Sequence, residues 1–175
     1  MSEIRKARPE DIPAVAAIYD RVLTEEENGR AEIGWVRGIY PTEATARQAL
    51  EAGELFVLER GGAVLAAARI NRVQVPEYAE ARWACPDAPE ERIMVLHTLV
   101  VDPAFAGRGC GKQFVAFYEE YARSRGCPYL RMDTNAKNAA ARRLYSRLGY
   151  REAGIVPCVF NGIPDVRLVC LEKKL

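Results

Sequence analysis

Residues 95–113 read VLHTLVVDPAFAGRGCGKQ and combine three features in a fixed order. The apolar, β-branched run predicts a buried strand, Asp102 and Pro103 predict a turn, and the glycines that follow open onto a helical pattern. A strand that leads into a helix through glycines leaves backbone N–H groups free at the positive end of the helix. The stretch therefore predicts a phosphate-binding loop.

Two common phosphate loops do not fit this spacing. The Walker loop needs Ser or Thr after its lysine, but Gln113 follows Lys112, and Ala106 occupies the position of its first glycine. The dinucleotide-binding fingerprint would place Phe114 at its third glycine, where close packing of helix on strand needs the smallest residue. Neither motif is present.

The stretch instead resembles the first motif of the GNAT (Gcn5-related) N-acetyltransferases, which is L-x-V-x-P followed by Q/R-x-x-G-x-G/A. The matching residues are Leu99, Val101, Pro103, Gly109 and Gly111. One position departs from the pattern, because Ala106 stands where the family usually has Gln or Arg. In this family the loop contacts coenzyme A mostly through main-chain amides, so the departure weakens the resemblance only slightly.

A second stretch, residues 135–150, resembles the family's helix motif N…A…LYeklGF. The matching residues are Asn135, Asn138, Ala141, Leu144, Tyr145, Leu148, Gly149 and Tyr150. The two motifs have the order and separation typical of the family, and the resemblance covers nearly the whole chain. It implies the GNAT acyl-CoA N-acyltransferase fold of the α/β (α+β) class. Residues 1–175 would form a single domain with a central, mixed and mostly antiparallel sheet flanked by helices.

The periodicity of apolar residues and the turn residues predict the order β-α-α-β-β-β-α-β-α-β-β, which the resemblance also implies. Residues 76–91 form a long segment rich in Glu, Pro and aromatic residues. Loops of this length in a compact domain are usually functional or disordered.

Composition and charge limit the partners. With 175 residues the chain suits one domain, and 25 Lys plus Arg against 24 Asp plus Glu give a net charge of +1. This balance argues against nucleic acid or a membrane surface as the main partner. The longest apolar run is too short to cross a bilayer, and the N-terminal residues have no signal-peptide core.

The cysteines and the single histidine bear on metals and location. The five cysteines are scattered without a C-x-x-C pair, and His97 is the only histidine. We therefore predict no metal site and reduced thiols in the cytoplasm.

The resemblance implies which residues hold coenzyme A. Main-chain amides of residues 108–113 would bind the pyrophosphate, and Arg108 and Lys112 would add charge at the rim or be solvated cations. The backbones of Leu99 and Val101 would pair with the pantetheine arm, as one more strand would. Asn138 would reach the arm and also cap a helix. The full predicted set is Leu99, Val101, Arg108, Gly109, Cys110, Gly111, Lys112, Gln113, Asn138 and Tyr145.

Acetyl transfer to an amine needs a neutral amine and a proton for the departing thiolate. An amine with a pKa of about 10.4 is neutral in only about one molecule in 2,500 at pH 7, so a base or a water relay is expected. From the resemblance we predict Tyr145 as the proton donor to the thiolate, with a core tyrosine as the alternative. Cys110 at a helix start would be a nucleophile only in a double-displacement reaction, which direct transfer does not require.

His97 is predicted to be a proton relay with a pKa of around 6–7, with a hydrogen-bonded core histidine as the alternative. Strand alternation would place it on the same face as Leu99 and Val101, beside the thioester. Several members of the family place a Glu or His on this strand to accept the proton of the amine.

The acceptor is less well defined by the sequence. Acidic residues at positions 25–27 and in the segment 76–91 would suit a cationic amine or would simply be solvated. Trp35, Tyr40, Tyr78 and Trp83 would line the same cleft or complete the core. We predict direct transfer of acetyl from acetyl-CoA to a primary amine of a small molecule. A protein or peptide N-acetyltransferase and a non-catalytic acyl-CoA sensor are the alternatives, and a homodimer is open.

Overall fold

The apolar strand patterns assemble into one seven-stranded sheet with the order β1-β2-β3-β4-β5-β7-β6. The computed structural model describes residues 2–175. Its strands are β1 (Ser2–Lys6), β2 (Leu55–Arg60), β3 (Ala63–Asn71), β4 (Ile93–Val101), β5 (Tyr129–Asn135), β6 (Arg151–Phe160) and β7 (Ile163–Lys174). Its α-helices are α1 (Ile12–Glu27), α2 (Glu43–Glu51), α3 (Cys110–Ser124) and α4 (Ala139–Arg147).

The predicted element order and sheet type are confirmed. The strands β4 and β5 pair in parallel, and every other pair is antiparallel. Strand β3 ends at Asn71, because the Asn71 side chain accepts the N–H of Val73 at 2.9 Å and turns the chain.

Apolar side chains cover both faces of the sheet. On one face, α3 and α4 pack on the largest cluster, which includes Phe114 and Tyr118. On the other face, α1 and α2 cover Val57, Ala67 and Val100. The segment 76–91 is folded, and its aromatic residues cover the remainder of this second face. Within residues 2–175, none of the helices combines the length and the apolar character that crossing a membrane requires.

The ladder between β4 and β5 is short, and this creates an opening in the sheet. It begins at Ile93↔Tyr129 and ends at Leu96↔Met132. Beyond that point β4 continues along β3 while β5 continues along β7. The side of β4 that faces β5 is therefore left without a strand partner from residue 97 onward.

A β-bulge at Thr98 changes the direction of the side chains along β4. Thr98 has a φ of +52°, which is rare for a β-branched residue. The pairing with β3 shifts by one residue between His97 and Val100. Leu99 and Val101 consequently pack against the α3 and α4 cluster, whereas His97 lies on the α2 side. The predicted common face of His97, Leu99 and Val101 is wrong, because strand alternation holds only for a regular strand.

Candidate functional site

The turn before α3 leaves a group of backbone amides free. Gly109 precedes the helix with a φ of +80°, a conformation that glycine adopts without strain. The amides of Arg108 and Gln113 donate to Phe105 and to Gly109. Within residues 2–175, the four amides of residues 109–112 find no acceptor outside the helix. The amides that are free to bind a ligand are therefore those of residues 109–112, a shorter range than the predicted 108–113.

This turn has the features of an anion-binding site, which suits the predicted contact with the coenzyme A diphosphate. No atom lies within 4 Å of the position that a Cβ on Gly109 would take, so the amides open onto free space. They lie at the N-terminus of a 15-residue helix, where the helix dipole favours an anion. A Cβ on Gly111 would instead lie 3.3 Å from Leu144, so this glycine lets α3 approach α4.

The side chains of the turn contribute unequally. Cys110 is 2% exposed and packs in the main core, so a nucleophilic role does not suit it. The side chain of Gln113 donates to Ser2 at 2.9 Å. The Arg108 guanidinium lies 5.4 Å from the Phe105 ring, and Lys112 forms no ion pair in the described part of the chain. Arg108 and Lys112 are therefore the side chains available to add charge at the rim.

Replacing Gly109 with valine is expected to weaken acetyl-CoA binding by roughly tenfold or more, because the side chain would cover the amides and strain the turn. Calorimetry with acetyl-CoA measures the affinity. The matched control is Gly126→Val, since Gly126 also has a positive φ of +69° and free space around it, but at the far end of α3. Equal affinities for both variants would remove the turn from the binding site.

The opening between β4 and β5 holds a cavity of about 170 Å³. Leu99, Val101 and Asn138 line it, next to the free side of β4. The Asn138 side-chain oxygen accepts the N–H of Ala141 at 3.0 Å and caps α4. Its amide group donates no hydrogen bond within residues 2–175, so capping and contact with the coenzyme arm are compatible, as the sequence predicts.

Tyr145 also lines this first cavity, from the inner side of α4. It is 7% exposed, and its ring packs edge-on against Tyr150 at 6.0 Å. Burial raises the pKa of Tyr145 above its usual value of 10.0, so the phenol is neutral at pH 7. Its hydroxyl has no hydrogen-bond partner among the residues described, and it is free to donate into the cavity.

A second cavity of about 360 Å³ adjoins the first. Polar groups including Tyr19, Gln48, Arg69 and His97 line it, on the face of the sheet covered by α1 and α2. Five residues line both cavities, so the two cavities are adjacent: Tyr40, Thr98, Asp133, Phe160 and Asn161. The hydroxyl groups of Tyr40 and Thr98 are hydrogen-bonded to each other at this junction.

Asp133 lies at the junction and was missed by the sequence analysis. Desolvation raises the pKa of Asp133, a hydrogen bond from Tyr78 lowers it, and the Glu77 carboxylate raises it. The pKa is about 6 as a result, compared with the usual 3.8. A perturbed carboxylate in a cavity is typical of functional sites. The sequence did contain a signal for Asp133. The apolar residues Leu130 and Met132 indicate a buried strand, and an acidic residue in such a strand is unusual.

His97 differs from its predicted state. Its Nε2 lies 2.7 Å from Asn71 Oδ1. Because the Asn71 amide donates to Glu54 at 3.0 Å, Oδ1 is the acceptor and Nε2 of His97 carries the proton. Burial and the charge of Arg69 lower the pKa of His97 to about 4. The predicted pKa of 6–7 is therefore wrong, although the role of the residue stays a prediction.

The acidic residues of α1 do not line the cavities. Glu25 pairs with Arg30, and Glu27 pairs with Arg37. Glu26 accepts the N–H groups of residues 33 and 34. These carboxylates therefore hold the segment 28–37 in place. None of the acidic residues of the segment 76–91 lines either cavity.

The four candidate aromatic residues divide between the cavity wall and the packing behind it. Trp35 and Tyr40 line the first cavity, whereas Tyr78 and Trp83 pack behind Asp133. The part of the chain that the structure describes contains no group of three His, Cys, Asp or Glu side chains placed to hold a metal ion.

The sequence model of the acetyltransferase (GNAT) family matches residues 18–150, which is most of the chain. The chain therefore belongs to the GNAT acetyltransferase family. The predicted family, fold and class of enzyme are confirmed, and acetyl-CoA is the cosubstrate of this family.

Individual relatives indicate different acceptors. The chain is 28% identical to the aminoalkylphosphonate N-acetyltransferase of Salmonella typhimurium over 152 residues, or 86% of each chain. It is 38% identical over 60 residues to the ribosomal protein bS18-alanine N-acetyltransferase of the same organism, over 34% of this chain and 40% of that one. It spans only 30% to 45% of the length of other curated relatives.

A solved structure of a GNAT-family acetyltransferase from Streptococcus agalactiae superimposes with a TM-score of 0.82 at 21% identity, over 99% of this chain and 95% of that one. This likeness is one of fold.

Proposed function

We propose that the chain transfers acetyl from acetyl-CoA directly to the primary amine of a small molecule. The observation that carries this proposal is that Asp133 borders both cavities. A group in this position would contact an acceptor amine bound in the second cavity, close to the first cavity. The bound coenzyme would supply the acetyl thioester.

The residues of the first cavity would hold the donor. The amides of residues 109–112 would bind the diphosphate, with Arg108 and Lys112 at the rim. The free backbone of Leu99 and Val101 and the Asn138 amide would orient the pantetheine arm. The Tyr145 hydroxyl, which has no other partner within residues 2–175, would donate a proton to the departing sulfur.

Asp133 would act on the acceptor. With a pKa of about 6, roughly nine in ten Asp133 side chains are ionised at pH 7. The carboxylate would first attract the ammonium group and then accept its proton at Oδ1, because Oδ2 is bound to Tyr78. The predicted attraction of a cationic amine would thus come from one carboxylate in the cavity.

Two loops support a small acceptor. A Cβ on Gly162, in the β6–β7 turn, would lie 3.3 Å from the Ile39 side chain, so this turn contacts the segment 33–40. Phe160 at the end of β6, Asn161 of the turn and Tyr40 of the segment 33–40 line both cavities. This contact would close one side of the acceptor cavity, which favours a small acceptor.

Arg69 suggests which amines to test first. Its Nε and Nη2 lie 2.6 Å from one Glu54 oxygen, and Nη1 makes no hydrogen bond within residues 2–175. Since Arg69 lines the second cavity, this nitrogen would suit an anionic group on the acceptor. A relative along most of the chain acetylates aminoalkylphosphonates, which carry such a group.

The test is the release of coenzyme A over a panel of amines in matched pairs with and without a phosphonate or carboxylate, together with polyamines, aminoglycosides and short peptides. We expect turnover of at least one small amine. Turnover of peptides alone would favour the protein N-acetyltransferase, for which the bS18-alanine relative is the supporting observation. Tight acetyl-CoA binding without any turnover would favour a sensor. The cytoplasmic location and a homodimer stay predictions.

A further inference from the structure

The segment 74–85, here called the strap, contacts the proposed base directly. The Tyr78 hydroxyl donates to Asp133 Oδ2 at 2.7 Å, and Tyr78 is 2% exposed. One carboxylate oxygen is thereby held, and the other is left for an acceptor. Tyr78 comes from a segment about 55 residues away in the sequence, so this contact is a property of the tertiary fold.

Trp83 contacts both the backbone and the ring of Tyr78. Its indole Nε1–H donates to the Tyr78 carbonyl oxygen at 2.8 Å, and the two rings meet edge-on with centroids 5.2 Å apart. Both side chains pack on the second face of the sheet with Ile93 and Val95. Trp83 therefore restrains both the backbone and the ring of Tyr78, and this fixes the position of the Tyr78 hydroxyl.

Arg131 ties the strap to the strand that carries Asp133. Its guanidinium lies 4.2 Å from the Trp83 ring centroid, and Nη2 donates to the Cys85 carbonyl at 3.1 Å. Nη1 donates to the Gln74 side chain. Arg131 is 5% exposed and forms no ion pair within residues 2–175. A buried cation without a carboxylate is costly, so its contacts with the strap must compensate.

Arg131 and Asp133 are two residues apart on β5 and point to the same face. Both ends of the strap, at Gln74 and Cys85, are therefore hydrogen-bonded to Arg131, and its middle contacts Asp133 through Tyr78. We propose that the strap positions the catalytic base, with Tyr78 as the positioning residue that orients the Asp133 carboxylate toward the acceptor. This inference rests on the proposed function, because it assigns a role to a residue that acts through Asp133.

The groups around Asp133 come from several elements. They are Glu77 and Tyr78 of the strap, Tyr40 of the segment 33–40, Tyr145 of α4, Cys158 of β6 and Cys170 of β7. The tyrosines and cysteines have raised pKa values and are neutral at pH 7. Within this group Glu77 is the other acid, and its Oε2 is buried without a hydrogen bond.

Two neighbouring residues of the strap therefore act on Asp133 in opposite directions. The Tyr78 hydrogen bond favours the ionised carboxylate and lowers its pKa, whereas the Glu77 charge raises it. If both residues act on the catalytic base, their replacement should shift the pH dependence of turnover in opposite directions, whereas a strap that only supports the fold should change activity equally at every pH. Measuring kcat/KM against pH for Tyr78→Phe and Glu77→Gln separates the two cases.

We expect the acid limb of the profile, near pH 6 in the unaltered chain, to move up by about one pH unit in Tyr78→Phe. It should move down in Glu77→Gln. Tyr78→Phe would then lose about tenfold in kcat/KM at pH 5 and recover most activity at pH 8.5. The matched control is Tyr118→Phe, because Tyr118 is equally buried but donates to the backbone carbonyls of Met94 and Arg131. Its limb should stay in place even if the stability falls.

A second readout does not need an acceptor. The difference in unfolding free energy between the unaltered chain and Asp133→Asn, followed from pH 3 to 8, reports the pKa of Asp133 in the folded state. Repeating the comparison in the Tyr78→Phe background should shift the curve upward in pH. Equal activity losses at every pH, with no shift in either readout, would overturn the strap proposal. A shift in the stability curve without any dependence of turnover on Asp133 would reject Asp133 as the base and with it the catalytic role of the strap, and would leave only the effect of Tyr78 on the Asp133 carboxylate.

Discussion

Asp133→Asn is expected to lower kcat/KM by roughly 10²–10⁴-fold while it raises the stability of the protein at pH 7–8. Activity falls because an amide cannot accept the proton of the amine. Stability rises because an ionised carboxylate in a desolvated position is replaced by a neutral side chain that still accepts the Tyr78 hydrogen bond. Activity assays and thermal unfolding of the same two proteins measure both effects.

The sign of the stability effect follows from the pKa of Asp133. The folded value of about 6 lies above the ordinary value of 3.8. The favourable contribution of the protonated form is present below pH 3.8 and is lost as the pH rises through 6. The difference of about two pH units corresponds to an upper value of about 3 kcal/mol at pH 7. Asp133→Asn should therefore gain stability at pH 7–8 and gain nothing near pH 3.

The control for the activity loss is His97→Gln. The unaltered chain should show an acid limb near pH 6, which we assign to Asp133. His97 has a pKa of about 4, so its replacement should leave the limb in place. If His97→Gln removed the limb and Asp133→Asn kept it, histidine would be the base and the assignment of Asp133 would be rejected.

Local features of the site could be predicted from the sequence. The glycine turn depends on the spacing of Gly109 and Gly111 and on the helix that follows, and all of these are contiguous in the chain. Asn138 could be predicted as a helix cap for the same reason. The sequence did not show that the two glycines have different roles. Gly109 faces open space, whereas Gly111 faces Leu144 and allows α3 to approach α4.

Features that depend on irregular or long-range contacts could not be predicted. The face of the sheet on which His97 lies depends on the bulge at Thr98, and no residue in the stretch VLHTLVV indicates a bulge. The position of Asp133 between the two cavities depends on where β5 leaves β4, and its hydrogen bond depends on Tyr78 from a distant segment. Burial then sets both pKa values, raising that of the acid and lowering that of the histidine.

The bulge also explains why one site can contain both cavities. A regular β4 would direct its side chains alternately toward the two helical layers. With the strained backbone at Thr98, Leu99 lies beside the first cavity and His97 beside the second, and Thr98 lines both. Strained non-glycine residues are typical of functional sites, and they persist only where the surrounding structure stabilises them. The hydrogen bond between Thr98 and Tyr40 contributes to this stabilisation.

Tyr145→Phe is expected to lower kcat by roughly 10²-fold or somewhat less, with the affinity for acetyl-CoA little changed. The variant keeps the ring that packs on Tyr150 and removes only the hydroxyl. Because this hydroxyl has no partner in the described chain, the melting temperature should stay nearly constant. The matched control is Tyr150→Phe, whose hydroxyl donates to Glu119 at 3.2 Å and does not line either cavity. That control should lose stability and keep turnover. The opposite result, with full activity and a lower melting temperature for Tyr145→Phe, would establish Tyr145 as a core residue.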